Sequence, residues 1–100
     1  MNREERDYQR DVREIGCICC LISLNVRSDC DIHHILSGGK RIGEMHVLGL
    51  CPSHHRSGLN NDVVTSRHPW RTAFQARYGT EEQLMARTQA LVADRRRMAA

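Results

Sequence analysis

The sequence predicts a small α+β domain, with an N-terminal helix, two short strands set among cysteine and histidine knots, and C-terminal helices. Three observations predict it. The apolar pattern is helical at both ends of the chain and β-like only in the middle. All five Cys and five of the six His lie between Cys17 and His55. The chain has 100 residues, of which 40% are hydrophobic and 4% aromatic, so its core is thin. A chain of this size buries roughly two-thirds of its unfolded surface, and a metal staple would make up the shortfall. One domain is expected over residues 1–100, built from an N-terminal helix (1–16), a knot-and-strand core (17–66) and C-terminal helices (67–100).

The first helix is expected over residues 2–15, where Tyr8, Val12 and Ile15 form an i, i+4, i+7 stripe among charged neighbours. Gly16 stops it. Residues 17–30 hold four Cys and show no period. Ile32 to Leu36 reads as a short strand ended by Ser37-Gly38-Gly39. Lys40 to Met45 reads as a mostly polar connection. His46 to Leu50 is the second strand, closed by Pro52, which cannot extend a paired ladder. Ser53 to Arg67 is rich in Ser, Gly and Asn and is expected to be mostly loop. Pro69 fits the first position of a helix. Trp70, Phe74 and Tyr78 follow at i, i+4 and i+8, a spacing that assigns them to the core rather than to base stacking. Gly79 ends this helix, and Thr80 to Gln83 matches a capping box. The last helix runs from about Glu81 to Arg97, with Leu84, Leu91 and Val92 inward and Arg95, Arg96 and Arg97 complementing its C-terminal dipole.

Charge and cysteine usage narrow the function classes. The longest apolar run, Cys17 to Ile22, is far too short to span a bilayer, so no membrane partner is expected. The charged start shows no secretory signal, which places the chain in the cytoplasm with reduced thiols, and five Cys is an odd number for a disulfide framework. Reduced Cys mixed with His suggests zinc. Residues 67–100 carry seven Arg against three acids, while the rest of the chain is nearly balanced. Arg grips phosphate through a planar fork, so the bias favours nucleic acid as a partner, with Arg95, Arg96 and Arg97 as candidate phosphate contacts. A solvated basic helix has the same composition.

Cys17-x-x-Cys20 and Cys51-x-x-His54 form two half-sites. A two-residue spacer lets both ligands of a tight turn face one ion, and two such turns supply a tetrahedron of three thiolates and one imidazole for a structural Zn²⁺. The register is open: Cys19 could replace Cys17 or Cys20, and Cys30 could displace His54. Four further imidazoles surround this set, namely His33 and His34 on the first strand, His46 at the start of the second, and His55 just after the knuckle. Strand alternation sends His33 and His34 to opposite faces unless the strand twists or ends there.

Asp31-Ile32-His33-His34-Ile35-Leu36, His46-Val47-Leu48-Gly49-Leu50-Cys51 and Cys51-Pro52-Ser53-His54-His55 together resemble the motif of HNH nucleases, the His-Me or ββα-metal finger. The stretches Glu14 to Cys20, His33-His34-Ile35, Leu50-Cys51, His54-His55, His68-Pro69-Trp70 and Ala76 to Thr80 look closest to the phage Ref nucleases, which act with a RecA-type recombinase filament. The central position holds His46 where the family has its naming Asn. The resemblance implies a ββα-metal fold and a metal-dependent DNA endonuclease of phage or bacterial recombination. It implies His34 as general base, and His33 and His55 as ligands of a catalytic divalent metal, whether Mg²⁺, Mn²⁺ or Zn²⁺. His46 would orient His34 or the loop, in a position that touches metal in some His-Me folds, and His68 is a further candidate for the same cleft or for a structural contact. The competing readings are a non-catalytic zinc-stabilised DNA-binding module and a recombinase-docking module.

Overall fold

The computed structural model describes residues 1–99. Helix α1 (Arg3–Ile15) opens on a capping box: the Asn2 side chain accepts from the Glu5 N–H, and Glu5 accepts from the Asn2 N–H. Tyr8 and Val12 are buried as the stripe requires, and Gly16 caps the helix at φ 89°. A Cβ at Gly16 would stand 2.4 Å from the Ser28 carbonyl oxygen, so the turn needs glycine for its φ and for the space.

The segment without period contains a helix, α2 (Ile18–Leu24). Seven residues, ICCLISL, are too short and too evenly apolar to display an amphipathic period. The helix is fixed instead by Cys17, whose Sγ accepts from the Cys20 N–H at 3.4 Å. Strand β1 (Asp31–His34) pairs antiparallel with β4 (Val47–Leu50), with His33 opposite Leu48 and His34 opposite Val47. Between them, the expected polar connection is a second small hairpin of β2 (Leu36–Ser37) and β3 (Lys40–Arg41), turned by Gly38 and Gly39 at positive φ. All of β4 is buried, because helices cover both of its faces.

The expected loop after β4 begins with a single helical turn, α3 (Pro52–His55), with Pro52 in the first turn where its missing N–H is harmless. Helix α4 (Arg71–Tyr78) starts two residues later than Pro69 suggested, with Trp70 as its cap. Trp70 also departs from the core stripe: it is 43% exposed, its Nε1–H donating to the Gly58 carbonyl, while Phe74 and Tyr78 are buried. A cap residue precedes the helical turn, so helical spacing no longer aims its side chain. Gly79 ends α4, and the Thr80–Gln83 capping box launches α5 (Glu81–Ala99). Leu84 and Val92 are buried and Leu91 half-buried. The core divides in two. One cluster gathers the knuckle cysteines with Leu48, Leu50, Phe74, Tyr78 and Leu84. The other joins Tyr8 and Val12 to Val47 and Val92. No described helix is long and apolar enough to cross a membrane.

Candidate metal centres

α2 begins just after Cys17 and α3 just after Cys51, and both helices pack on β4. This brings Cys17, Cys20, Cys51 and His54 together, all buried, with one potential ligand atom from each lying within 4.8 Å of the others. The separations are those of ligands around one small ion. With Zn–S near 2.3 Å and Zn–N near 2.0–2.1 Å, tetrahedral edges are about 3.8 Å for S···S and about 3.6 Å for S···N. Cys20 Sγ to Cys51 Sγ is 3.7 Å, and His54 Nδ1 lies 3.6, 3.5 and 3.2 Å from Cys17, Cys20 and Cys51 Sγ. The far nitrogen of His54, Nε2, is 3.0 Å from Tyr78 Oη, which also accepts from the Thr65 N–H at 3.1 Å. A ring that ligates through Nδ1 carries its proton on Nε2, so Tyr78 holds His54 in that tautomer.

The thiols show what the cluster lacks on its own. The Cys19 side chain, aided by His54, draws the Cys17 thiol down to about 3 against the opposing effect of burial. Burial and the Cys17 charge push the Cys20 thiol up to about 12. The Cys17 thiolate suppresses ionisation of Cys20 beside it, and a divalent cation would reverse that by stabilising thiolates. The donor set therefore fits a structural metal. Cys19 lies outside it, fully buried in the core, its thiol raised by the Cys17 contact first and then by burial. Cys30 is half-buried, with Sγ 4.0 Å from the Val12 carbonyl oxygen, and belongs to neither metal cluster.

A second cluster forms where β1, α3 and the segment before α4 meet. His33, His55 and His68 each offer a ring nitrogen within 4.8 Å of the others, and the ring centroids are 5.2, 5.7 and 5.4 Å apart. The approach is built by backbone: the Arg67 N–H donates to the His54 carbonyl at 2.8 Å and the His68 N–H to that of His55 at 2.9 Å. His33 and His55 are buried, and His33 Nε2 and His55 Nδ1 have no hydrogen-bond partner. Burial, then the neighbouring His33, hold the His55 ring well below its usual range, at about 4. Burial and then Arg67 lower His68. These two rings are kept neutral, which is the state a cation binds, so this donor set also fits a metal. Two carboxylates flank it. Glu81 Oε2 is 3.5 Å from His33 Nε2, and Asp31 Oδ2 is 4.0 Å from His55 Nδ1. Glu81 is held down to about 2, chiefly by His33, then by Arg67, against burial.

His34 keeps the strand alternation and does not join this cluster. Its Nε2 lies 3.0 Å from Glu44 Oε2, and Gln9 Nε2 donates to the Glu44 side chain at 3.1 Å and to its carbonyl at 2.7 Å. His34 and then Gln9 lower the Glu44 carboxyl. His46 stands beside this pair, its carbonyl accepting from the Ile35 N–H at 3.0 Å and its buried Nδ1 without a partner. Arg95, Arg96 and Arg97 are each engaged by an acid of this chain: Glu14, Asp11 (2.7 Å for the Arg96 pair) and Asp94.

Glu44, Glu81 and Tyr78 are the functional neighbours that the sequence reading did not assign. Glu44 sits in a polar connection, Glu81 reads as the start of a helix, and Tyr78 reads as core. Each partnership joins residues 10 to 48 positions apart in sequence, so no local pattern carries it. A model of the family described as "Recombination enhancement, RecA-dependent nuclease" matches residues 2–93. No curated protein and no solved structure matches the chain.

Proposed function

The chain belongs to the family of RecA-dependent recombination-enhancement nucleases, and from that premise we propose that it is a metal-dependent DNA endonuclease of the HNH, ββα-metal type. The observation that carries the reading is the convergence of His33, His55 and His68 beside a complete Cys₃His set. A domain stapled by one zinc has no structural need of three more imidazoles around a second point. The antiparallel pair β1–β4 followed directly by α3 supports the ββα-metal comparison.

In this reading Cys17, Cys20, Cys51 and His54 hold the structural zinc, and His33, His55 and His68 hold the catalytic cation. A divalent cation held by them would supply charge relief to the phosphodiester oxygens and to the departing 3′ oxygen. His34 is the general base. Glu44 occupies its Nε2, which leaves Nδ1 to take the proton of the attacking water. His34 is the last residue of β1 and keeps to the other side of the strand from His33, so in this reading the substrate meets both around the strand end. His46 anchors this strand end through its carbonyl bond to Ile35. DNA and a RecA-type recombinase filament are the partners that the family name implies. Arg56 adjoins the histidine cluster and makes no ion pair among the described residues. Contact of Arg95, Arg96 and Arg97 with phosphate requires exchange of the acids they already hold.

The test is cleavage of single- and double-stranded DNA with Mg²⁺, Mn²⁺ or chelator, with and without a recombinase filament. His34→Ala should cost on the order of a hundred- to ten-thousand-fold in rate while leaving folding and zinc content intact. His55→Ala should be partly restored by excess Mn²⁺, and His34→Ala should not. A His34→Ala protein that cuts like the wild type places the base elsewhere. A wild type inert under every condition, filament included, makes the chain a zinc-stabilised binding module.

A further inference from the structure

Glu81 is the first residue of α5, fixed there by the Thr80–Gln83 capping box that precedes its helix. Its side chain is buried, and its two oxygens face different partners. Oε1 accepts from Arg67 Nε at 2.6 Å. Oε2 faces His33 Nε2 at 3.5 Å without a formed hydrogen bond, and that buried ring nitrogen has no other partner. Arg67 is itself pinned by its N–H to the His54 carbonyl, one residue before His68. One carboxylate therefore ties together β1, the segment bearing His68 and the start of α5. A buried carboxylate with one oxygen spent on an arginine and the other turned to the back of an imidazole is the arrangement that selects a ligand's tautomer.

We propose that Glu81 is the positioning residue of the histidine metal centre. His33 carries its proton on Nε2, donates it in a hydrogen bond to Glu81, and presents Nδ1 to the ion shared with His55 and His68. Arg67 keeps the carboxylate charged and aimed, so that the 3.5 Å gap closes when the ring takes up its ligand position. The inference rests on the metal reading of that centre and adds to it a residue from the C-terminal helix.

Two measurements on the zinc-loaded full chain test it. Long-range ¹⁵N NMR reports the His33 tautomer: the expected result is Nε2–H, with Nδ1 shifting when a further equivalent of Zn²⁺ is added. Co²⁺ titration, read by visible bands, reports affinity at the imidazole site, and sulfur-to-metal bands reveal any exchange at the thiolates. Glu81→Gln should bind Co²⁺ about 10–100-fold more weakly, with circular dichroism and the thiolate site unchanged, and Glu81→Asp should recover part of the loss. His33 protonated on Nδ1, or a folded Glu81→Gln chain binding Co²⁺ like the wild type, overturns the proposal. If Glu81→Gln does not fold, the wild-type tautomer decides alone. A wild type that takes no metal at the three imidazoles overturns this inference and the metal reading together. Unchanged affinity in Glu81→Gln overturns only the inference.

Discussion

Tyr78 shows how much one hydroxyl carries. It receives the His54 ring and the Thr65 N–H, both inside the core. Tyr78→Phe leaves two buried donors unpaired, each costing about 1–3 kcal/mol. It also frees the His54 ring to rotate, so zinc affinity should fall about 10–100-fold in a chelator competition while the aromatic packing survives. Acid sensitivity belongs to this scale as well. Glu81 lies at about 2 in the folded chain against an ordinary 4.5, so its stabilisation is complete above 4.5 and is lost as pH falls toward 2. His55, held neutral down to about 4 against an ordinary 6.5, withdraws stability as pH falls below 6.5. Denaturant titrations of protein with zinc at the thiolates and no metal at the imidazoles should show stability falling in both windows, and Glu81→Gln should flatten only the lower one. Residue chemistry was the most legible level in the sequence. The knuckle spacings named the four ligands that converge, and the second cluster was anticipated at His33 and His55. The partners Glu44 and Glu81 were not, because a carboxylate's meaning is set by what the fold places in front of it.

Among the elements, β4 is the one on which the sites hang, and Gly49 is its tightest point. A Cβ there would lie 2.6 Å from the Gly16 carbonyl oxygen and 2.7 Å from Cys30 Sγ. The first of these is backbone and cannot swing aside. Gly49→Ala should therefore destabilise by about 1–3 kcal/mol or more in thermal melts, whereas Gly38→Ala, whose Cβ meets nothing within 4 Å, should lose only the smaller cost of a side chain at φ 58°. α1 is legible by its amphipathic stripe and capping box, and α5 chiefly by the capping box that starts it. The buried strands are brief but bounded by clear turn residues. α2 and α3 escape a sequence reading because seven and four residues, started by cysteines of the thiolate cluster, are too short to repeat a helical period. Trp70 escaped because helical spacing was extended one residue beyond the helix that produces it.

The whole molecule rests on few large side chains, so the zinc is expected to be a condition of folding rather than an ornament. Structural zinc in small domains contributes apparent binding energies of about 10–16 kcal/mol, comparable to the entire stability of a domain this size. Strong chelation, or Cys51→Ala, should unfold the chain cooperatively by circular dichroism. A fold that survives complete removal of zinc would contradict this. Charge is also arranged at this scale. Arg95 and Arg96 close onto Glu14 and Asp11, so the C-terminal surplus locks α5 against α1. Neutralising Arg95, Arg96 and Arg97 should lower thermal stability first. Arg56→Ala should leave stability nearly unchanged and reduce the salt slope of DNA binding by about one phosphate contact.

One turn of helix links these levels. His54 and His55 are neighbours in α3, yet they face different clusters, one the thiolates and the other the imidazoles. A single peptide bond is the whole distance between scaffold and blade. In the proposed reading, the thiolate grip acts as a safety catch. Loss of zinc from the thiolates would free His54, and His55, the next residue of the same turn, would lose its fixed place with it, so the scaffold and the imidazole site would fail together.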